Sequence, residues 1–129
     1  MDLTDWLVLI VDDDLDNLRL LEDVLLYARA QVTSASTGTG AIDLLQTHTY
    51  RMVLLDIQMP NFSGWDVIHF IRGHPDPSVR QQLVIAVTAF AMSGDRERTL
   101  AGGFDGYISK PIDVITFVST IAKIVETRH

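Results

Sequence analysis

The chain has 129 residues, and its ten Lys and Arg against seventeen Asp and Glu give a formal net charge of −7. Hydrophobic residues make up 47% of the chain, which is enough for a core and excludes intrinsic disorder as a description of the whole. The excess of acid argues against nucleic-acid binding through the phosphate backbone and against a polybasic membrane contact. The chain has no cysteine, which excludes disulfides, thiolate chemistry and zinc–cysteine sites.

Length and hydrophobic pattern predict one soluble domain spanning residues 1–129. The longest apolar run, Trp6 to Val11, is far shorter than the roughly 20 residues that cross a bilayer. Asp2 and Asp5 stand where a signal peptide would carry basic residues. We therefore expect a cytoplasmic protein without a membrane anchor.

Five short apolar segments alternate with segments of helical period, a pattern typical of an α/β fold with a parallel sheet. The predicted strands in chain order are Leu7–Val11, Val32–Ala35, Met52–Leu55, Leu83–Val87 and Tyr107–Ile108. The first, third and fourth are continuously apolar, as expected of strands that helices cover on both faces. The second is half polar and the fifth is very short, so both suit the sheet edges. This sorting predicts the strand order 2-1-3-4-5.

Five helices are predicted between and after these strands. In chain order they are Leu15–Ala28, Ala41–Leu45, Trp65–Arg72, Ser93–Ala101 and Val114–Thr127. Asp14 and Asp113 can cap the first and the fifth, and Gly73 closes the third before two prolines. In the fourth, only Leu100 and Ala101 offer apolar anchorage, so we expect it to be weakly held.

Polar residues follow the predicted strands at their carboxyl ends. Asp12 and Asp13 follow the first strand, Asp56 the third, Thr88 the fourth and Lys110 the fifth. Because the carboxyl ends of parallel strands share one sheet edge, and because ligands bind there where the strand order reverses, these side chains should converge. Two carboxylates about 4 Å apart repel by roughly 4 kcal/mol at an effective dielectric constant of 20. The site therefore needs positive charge.

Hard carboxylate oxygens without His or Cys favour a hard divalent cation, and one that bridges to phosphate is most naturally Mg²⁺. Asp12, Asp13 and Asp56 are the predicted ligands. Lys110 and Thr88 are suited to contact phosphoryl oxygens, and the Asp56 carboxylate can act as the nucleophile. The predicted site is a phosphoryl acceptor.

Four segments of the chain resemble the receiver domain of two-component response regulators. They are LVLIVDDD from Leu7, LLDIQMPNFSGWD over Leu54–Asp66, VIAVTAFA over Val84–Ala91 and GGFDGYISKPI over Gly102–Ile112. Each segment includes a predicted strand end, and the resemblance covers nearly the whole chain. The resemblance implies a flavodoxin-like, doubly wound five-stranded parallel sheet in a stand-alone receiver.

The same resemblance implies a function. A histidine kinase or histidine phosphotransfer protein would pass a phosphoryl group to Asp56, and the chain would catalyse only its own phosphorylation and autodephosphorylation. The backbone carbonyl of Gln58 would be a further metal ligand. A cis peptide bond before Pro111 would direct Lys110 into the site.

Switching is also implied. Thr88 would move toward the phosphoryl group, and Tyr107, at the family's aromatic switch position, would fill the space that this opens. The output face would comprise the fourth predicted helix, the fifth strand and the fifth helix, docking to a downstream protein. Gln58 and Phe90 flank the path by which water would reach the phosphoryl group, and we expect bulky Phe90 to slow dephosphorylation.

Two alternatives stay open at this level. In a phosphatase of the haloacid dehalogenase type, Asp12 would be the nucleophile and Asp14 the acid, but that family needs a further acidic pair after the lysine, where only Asp113 and Glu126 remain. A silent interaction module would keep the fold without phosphorylation. Such modules normally lack a key site residue, and none is missing here.

Overall fold

The computed structural model describes residues 2–89 and 94–128. The five strands are β1 (Leu7–Val11), β2 (Gln31–Ala35), β3 (Met52–Leu55), β4 (Leu83–Thr88) and β5 (Gly106–Ser109). The helices are α1 (Leu15–Tyr27), α2 (Gly38–Thr47), α3 (Gly64–Arg72), α4 (Pro77–Arg80), α5 (Asp95–Ala101) and α6 (Phe117–Arg128). None of these helices is both long and apolar enough for a bilayer span.

All five strands pair in parallel in the order β2-β1-β3-β4-β5, which confirms the predicted fold class and strand order. The central strands β1, β3 and β4 are almost fully buried, whereas β2 and β5 carry exposed positions. This burial follows from the apolar runs, because a strand that helices cover on both faces has no side for polar residues.

Side chains of the sheet alternate between two hydrophobic clusters. On one face, Leu9 and Val53 pack with residues of α2 and α3; on the other, Ile10 and Leu54 pack with α1 and α6. Burying one such aliphatic side chain contributes roughly 1.5–3 kcal/mol. The two clusters hold the strands rigidly, so the positions of the strand ends are well defined.

Four local predictions need correction. Helix α2 begins at Gly38 instead of Ala41, because Thr37 caps it by accepting from Gly40 N at 3.0 Å. The sequence did not predict the short helix α4. Asp76 caps this helix by accepting a hydrogen bond from Ser78 N at 2.9 Å. Pro77 occupies the first turn, where a backbone N–H would have no acceptor within the helix, so its missing N–H costs nothing. The last helix begins at Phe117 instead of Val114, because Asp113 accepts a hydrogen bond from Ile115 N at 3.0 Å and closes a turn there.

The anchorage of α5 was also predicted wrongly. Its buried residues are Asp95 and Thr99, whereas Leu100 is 38% exposed and Ala101 is exposed. The predicted start of this helix, Ser93, lies outside the described residues. The inward face of α5 is therefore polar, which leaves this helix with little hydrophobic attachment.

Arg72 joins several loops at the amino end of the sheet. Its guanidinium donates to the carbonyl oxygens of Gly103, Arg80 and Gln82 at 2.7–2.8 Å and to Asp105 Oδ2 at 2.8 Å. The planar guanidinium can satisfy several acceptors at once because its donors point in fixed directions.

We expect Arg72→Met to lower the free energy of unfolding by about 2–4 kcal/mol, because it leaves three carbonyls and one carboxylate without this donor. Urea unfolding followed by circular dichroism measures the change. The control is Arg19→Met, since Arg19 is exposed on α1. A loss for Arg72→Met no larger than that of the control would contradict this role.

Candidate functional site

Asp12 and Asp13 lie directly after β1, at the carboxyl edge of the sheet. Asp12 is 1% exposed, and its carboxylate accepts from Asp14 N at 2.9 Å and from Asn17 Nδ2 at 2.6 Å. Asp13 is exposed, and among the described residues its side chain forms no hydrogen bond or ion pair. One carboxylate is thus held in place, and its neighbour remains available to a ligand.

Asp56 follows β3 and lies beside Asp12. Its backbone N donates to Val11 O at 2.9 Å, which extends the pairing of β1 and β3 by one residue. Its side chain is buried, with the residue 4% exposed, and Oδ1 accepts from Gln58 N at 3.2 Å. Strand pairing therefore forces two buried acids into adjacent positions.

Lys110 follows β5 and supplies the positive charge. Its Nζ lies 2.9 Å from Asp12 Oδ2 and 3.1 Å from Asp56 Oδ2. Its backbone N donates to Thr88 O at 3.0 Å, and the peptide bond before Pro111 is cis, as the resemblance implied. One ammonium group bridges both buried carboxylates.

These contacts change the acid–base properties of the site. Burial raises the pKa of Asp56, and the neighbouring charge of Asp12 raises it further, against the opposing influence of Lys110. Burial alone would lower the pKa of Lys110, but its hydrogen bonds and charge interactions with Asp12 and Asp56 outweigh this and raise it. Lys110 therefore stays protonated, while ionising Asp56 costs free energy.

The three carboxylates are close enough to bind one cation. Asp12, Asp13 and Asp56 each offer an oxygen atom, and these atoms all lie within 4.8 Å of one another. An all-oxygen carboxylate set fits Mg²⁺ better than a thiophilic or imidazole-preferring metal. The donor set therefore fits the ion predicted from the sequence.

Thr88 and Gln58 lie at the same edge of the sheet as this cluster, and Tyr107 lies further back along β5. Thr88 is fully buried at the carboxyl end of β4, two residues beyond Ala86, which pairs with Tyr107 of β5. Tyr107 is partly buried and packs against the core cluster, and the Gln58 side chain is exposed. Phe90, which was expected to slow dephosphorylation, lies outside the described residues.

Asn17 is a site residue that sequence reasoning missed. It lies in the first turn of α1, and its amide donates to Asp12. The position of Asn17 five residues after Asp12 is only weak sequence evidence for this contact, since the distance between the two side chains depends on how closely α1 follows the strand. Asp14 is exposed and caps α1 by accepting from Asp16 N and Asn17 N, which leaves little support for its role as the acid of a phosphatase.

Comparisons with known proteins agree with this geometry. Residues 8–122 match the family model of the response regulator receiver domain. The polar-differentiation response regulator DivK of Brucella ovis is 41% identical over 114 residues, covering 88% of this chain and 91% of that protein. DivK of Brucella abortus matches to the same extent.

Solved structures show the same fold. A putative response regulator from Chloroflexus aurantiacus superimposes with a TM-score of 0.85 at 24% identity, covering 95% of this chain and 99% of that one. The receiver domain of the sensor histidine kinase PA1611 of Pseudomonas aeruginosa, which holds a coordinated magnesium ion in its active-site cleft, gives 0.83 at 26% identity, covering 95% and 99%. The chain belongs to the response regulator receiver domain family.

Proposed function

We propose that this receiver accepts a phosphoryl group on Asp56, in a Mg²⁺-dependent transfer from a phosphohistidine donor on a histidine kinase or phosphotransfer protein. The observation that carries this proposal is the arrangement around Asp56: Lys110 Nζ lies 3.1 Å from its carboxylate, and two further acids lie within cation-binding distance. The Asp56 carboxylate is thus a nucleophile that lies next to both a fixed positive charge and a cation site.

The metal would be held by Asp12, Asp13 and Asp56, with the Gln58 carbonyl as a further ligand. When bound, the ion neutralises negative charge on the transferred phosphoryl group. The magnesium ion in the receiver domain of the Pseudomonas kinase supports this assignment.

The transfer is a displacement at phosphorus, in which the Asp56 carboxylate replaces the imidazole of the donor. A carboxylate oxygen of Asp56 forms a bond to phosphorus while the bond from phosphorus to the imidazole nitrogen breaks. The imidazole nitrogen keeps the electron pair of the broken bond and takes a proton from solvent water. Lys110 and Thr88 hold the phosphoryl oxygens, and because the transition state is largely dissociative, alignment and charge neutralisation are their main contributions.

Output would follow from rearrangement of α5, β5 and α6. A phosphoryl group carries about −1.5 to −2 charge, more than the carboxylate that it modifies, which draws Thr88 toward it and frees space for Tyr107. The polar inward face of α5, with Asp95 and Thr99 buried in place of apolar side chains, lowers the cost of shifting that helix. The altered face would then dock to a downstream protein.

Phosphorylation at Asp56 is tested with Mg²⁺ and a small phosphodonor such as acetyl phosphate, followed by intact-mass spectrometry. We expect one phosphoryl group on the wild type and none on Asp56→Asn. Asp23→Asn, at an exposed position of α1, should be labelled like the wild type. Label retained in Asp56→Asn but lost in Asp12→Asn would favour the phosphatase, and no label on any form would favour a silent module.

The raised pKa of Asp56 predicts that its charge destabilises the metal-free fold. At neutral pH without Mg²⁺, Asp56→Asn should raise the free energy of unfolding by about 1–2 kcal/mol, because it removes one of two buried like charges. The folded state binds the Asp56 proton more tightly than the unfolded state. The free energy of unfolding of the wild type should therefore rise relative to that of Asp56→Asn as the pH falls through the raised pKa.

Urea unfolding at several pH values measures this difference. Asp23→Asn serves as the charge-matched control and should change stability by less than about 0.5 kcal/mol. Added Mg²⁺ should stabilise the wild type more than Asp56→Asn or Asp13→Asn, since both variants lose a proposed ligand. A variant Asp56→Asn that is less stable than the wild type at neutral pH would contradict the electrostatic argument.

Hydrogen exchange tests the switch. With Mg²⁺ and the phosphoryl mimic beryllofluoride, amides of α5 and β5 should change protection by about tenfold, whereas those of α1 and α3 should change little. Asp56→Asn is the control, because it cannot bind the mimic at Asp56. Equal protection of α5 in both states of the wild type would overturn the proposed output face.

A further inference from the structure

The residues that precede the strands meet at the amino edge of the sheet, opposite the carboxylate cluster. Trp6 directly precedes β1, and Arg51 directly precedes β3. The Arg51 guanidinium lies 4.5 Å from the centre of the Trp6 ring, within the range of a cation–π contact. The same parallel pairing that gathers acids at one edge therefore gathers an indole and a guanidinium at the other.

A cleft of about 210 Å³ opens beside this pair. Leu83 and Val125 line it together with Trp6, and Arg51 and Arg128 supply its charged groups. Trp6 is 8% exposed and Leu83 4% exposed, so both belong to the packed core and form a fixed apolar surface. The cleft combines an apolar lining with two guanidinium groups.

Among the described residues, the guanidinium groups of Arg51, Arg72 and Arg128 at this edge have a single carboxylate as ion-pair partner. Arg72 and Arg128 share a single carboxylate, Asp105, at 2.8 and 3.5 Å. Within the described residues, Arg51 forms no ion pair. In a chain of net charge −7, a cleft that presents the guanidinium groups of Arg51 and Arg128 is an attractive position for an anion.

The size and the lining of the cleft restrict which kind of anion it can bind. Pockets for drug-sized ligands are about 300–1,000 Å³, so a cleft of about 210 Å³ suits one side chain better than a free metabolite. Guanidinium groups match the geometry of a carboxylate, and the Trp6 and Leu83 surfaces suit a short methylene stem. The net charge of −7 disfavours a nucleic-acid backbone as the source of the anion.

We propose that this cleft is a docking site for an acidic side chain, a glutamate or aspartate, on a partner protein. The five residues of β1 separate it from Asp12 by roughly 17 Å, about two Debye lengths at physiological salt. Docking here therefore leaves Asp56 accessible and is independent of its phosphorylation.

The test uses two capped pentapeptides, Ala-Leu-Glu-Leu-Ala and its Gln counterpart, titrated into ¹⁵N-labelled protein. The signal to follow is the indole N–H resonance of Trp6. The chain has two tryptophans, so the indole resonance that remains in Trp65→Phe belongs to Trp6. We expect the Glu peptide to shift this signal and the Gln peptide to shift it at least about fivefold less at equal concentration. Raising the salt should weaken the effect.

Arg51→Gln and Arg128→Gln should each weaken Glu-peptide binding about two- to fivefold, as expected for partly exposed charge pairs. Arg19→Gln, on the exposed side of α1, is the matched control and should bind like the wild type. Asp56→Asn should also bind normally, which separates this proposal from the phosphoacceptor function. If either arginine variant fails to fold, the comparison of the two peptides on the wild type still decides the question.

Three outcomes would overturn the proposal. Equal shifts from both peptides would show that the carboxylate is not recognised. Inorganic phosphate shifting the signal more strongly than the Glu peptide would indicate a phosphate-bearing ligand, such as a lipid or nucleic acid. A Trp6 signal that moves with protein concentration alone would indicate a second copy of this chain as the occupant.

Discussion

Repulsion between two buried carboxylates is the interaction around which this molecule is organised. Asp12 and Asp56 are 1% and 4% exposed, and the pairing of β1 with β3 leaves neither free to move away. At about 4 Å, two such charges repel by roughly 4 kcal/mol at an effective dielectric constant of 20. Lys110 relieves part of this repulsion by bridging both groups. The hydrophobic clusters on the two faces of the sheet hold the strands, and hence the charges, in place.

The charge count explains why such a site is responsive. Three carboxylates against one ammonium group leave an excess of two negative charges, which a divalent cation would cancel. In the proposed function, phosphorylation then replaces the single charge of the Asp56 carboxylate with the roughly −1.5 to −2 of a phosphoryl group, a net gain of up to about one negative charge at the same place. Each binding event thus changes the net charge in a region with little water to screen it. A nearby helix with a polar inward face, such as α5, can respond to that change at low cost.

Much of the fold could be predicted because its signals are local. The continuous apolar runs identify β1, β3 and β4, and the polar residues after them identify the carboxyl edge. Signals that depend on partners were misread or missed. Leu100 and Ala101 were expected to anchor α5, although tertiary packing buries Asp95 and Thr99 instead. The amide of Asn17 and the guanidinium of Arg72 show their roles only when the fold brings their acceptors within reach.

By itself, the sequence determined the strand order and the residue types at both ends of each strand, since hydrophobic periodicity and side-chain chemistry are properties of short segments. Only the tertiary structure decided which atoms meet: that Lys110 contacts both Asp12 and Asp56, that Asp13 stays free of partners among the described residues, and that Arg51 lies over Trp6. The reason is that such contacts join residues far apart in the chain. Their distances follow from sheet register and helix packing, which no local pattern encodes.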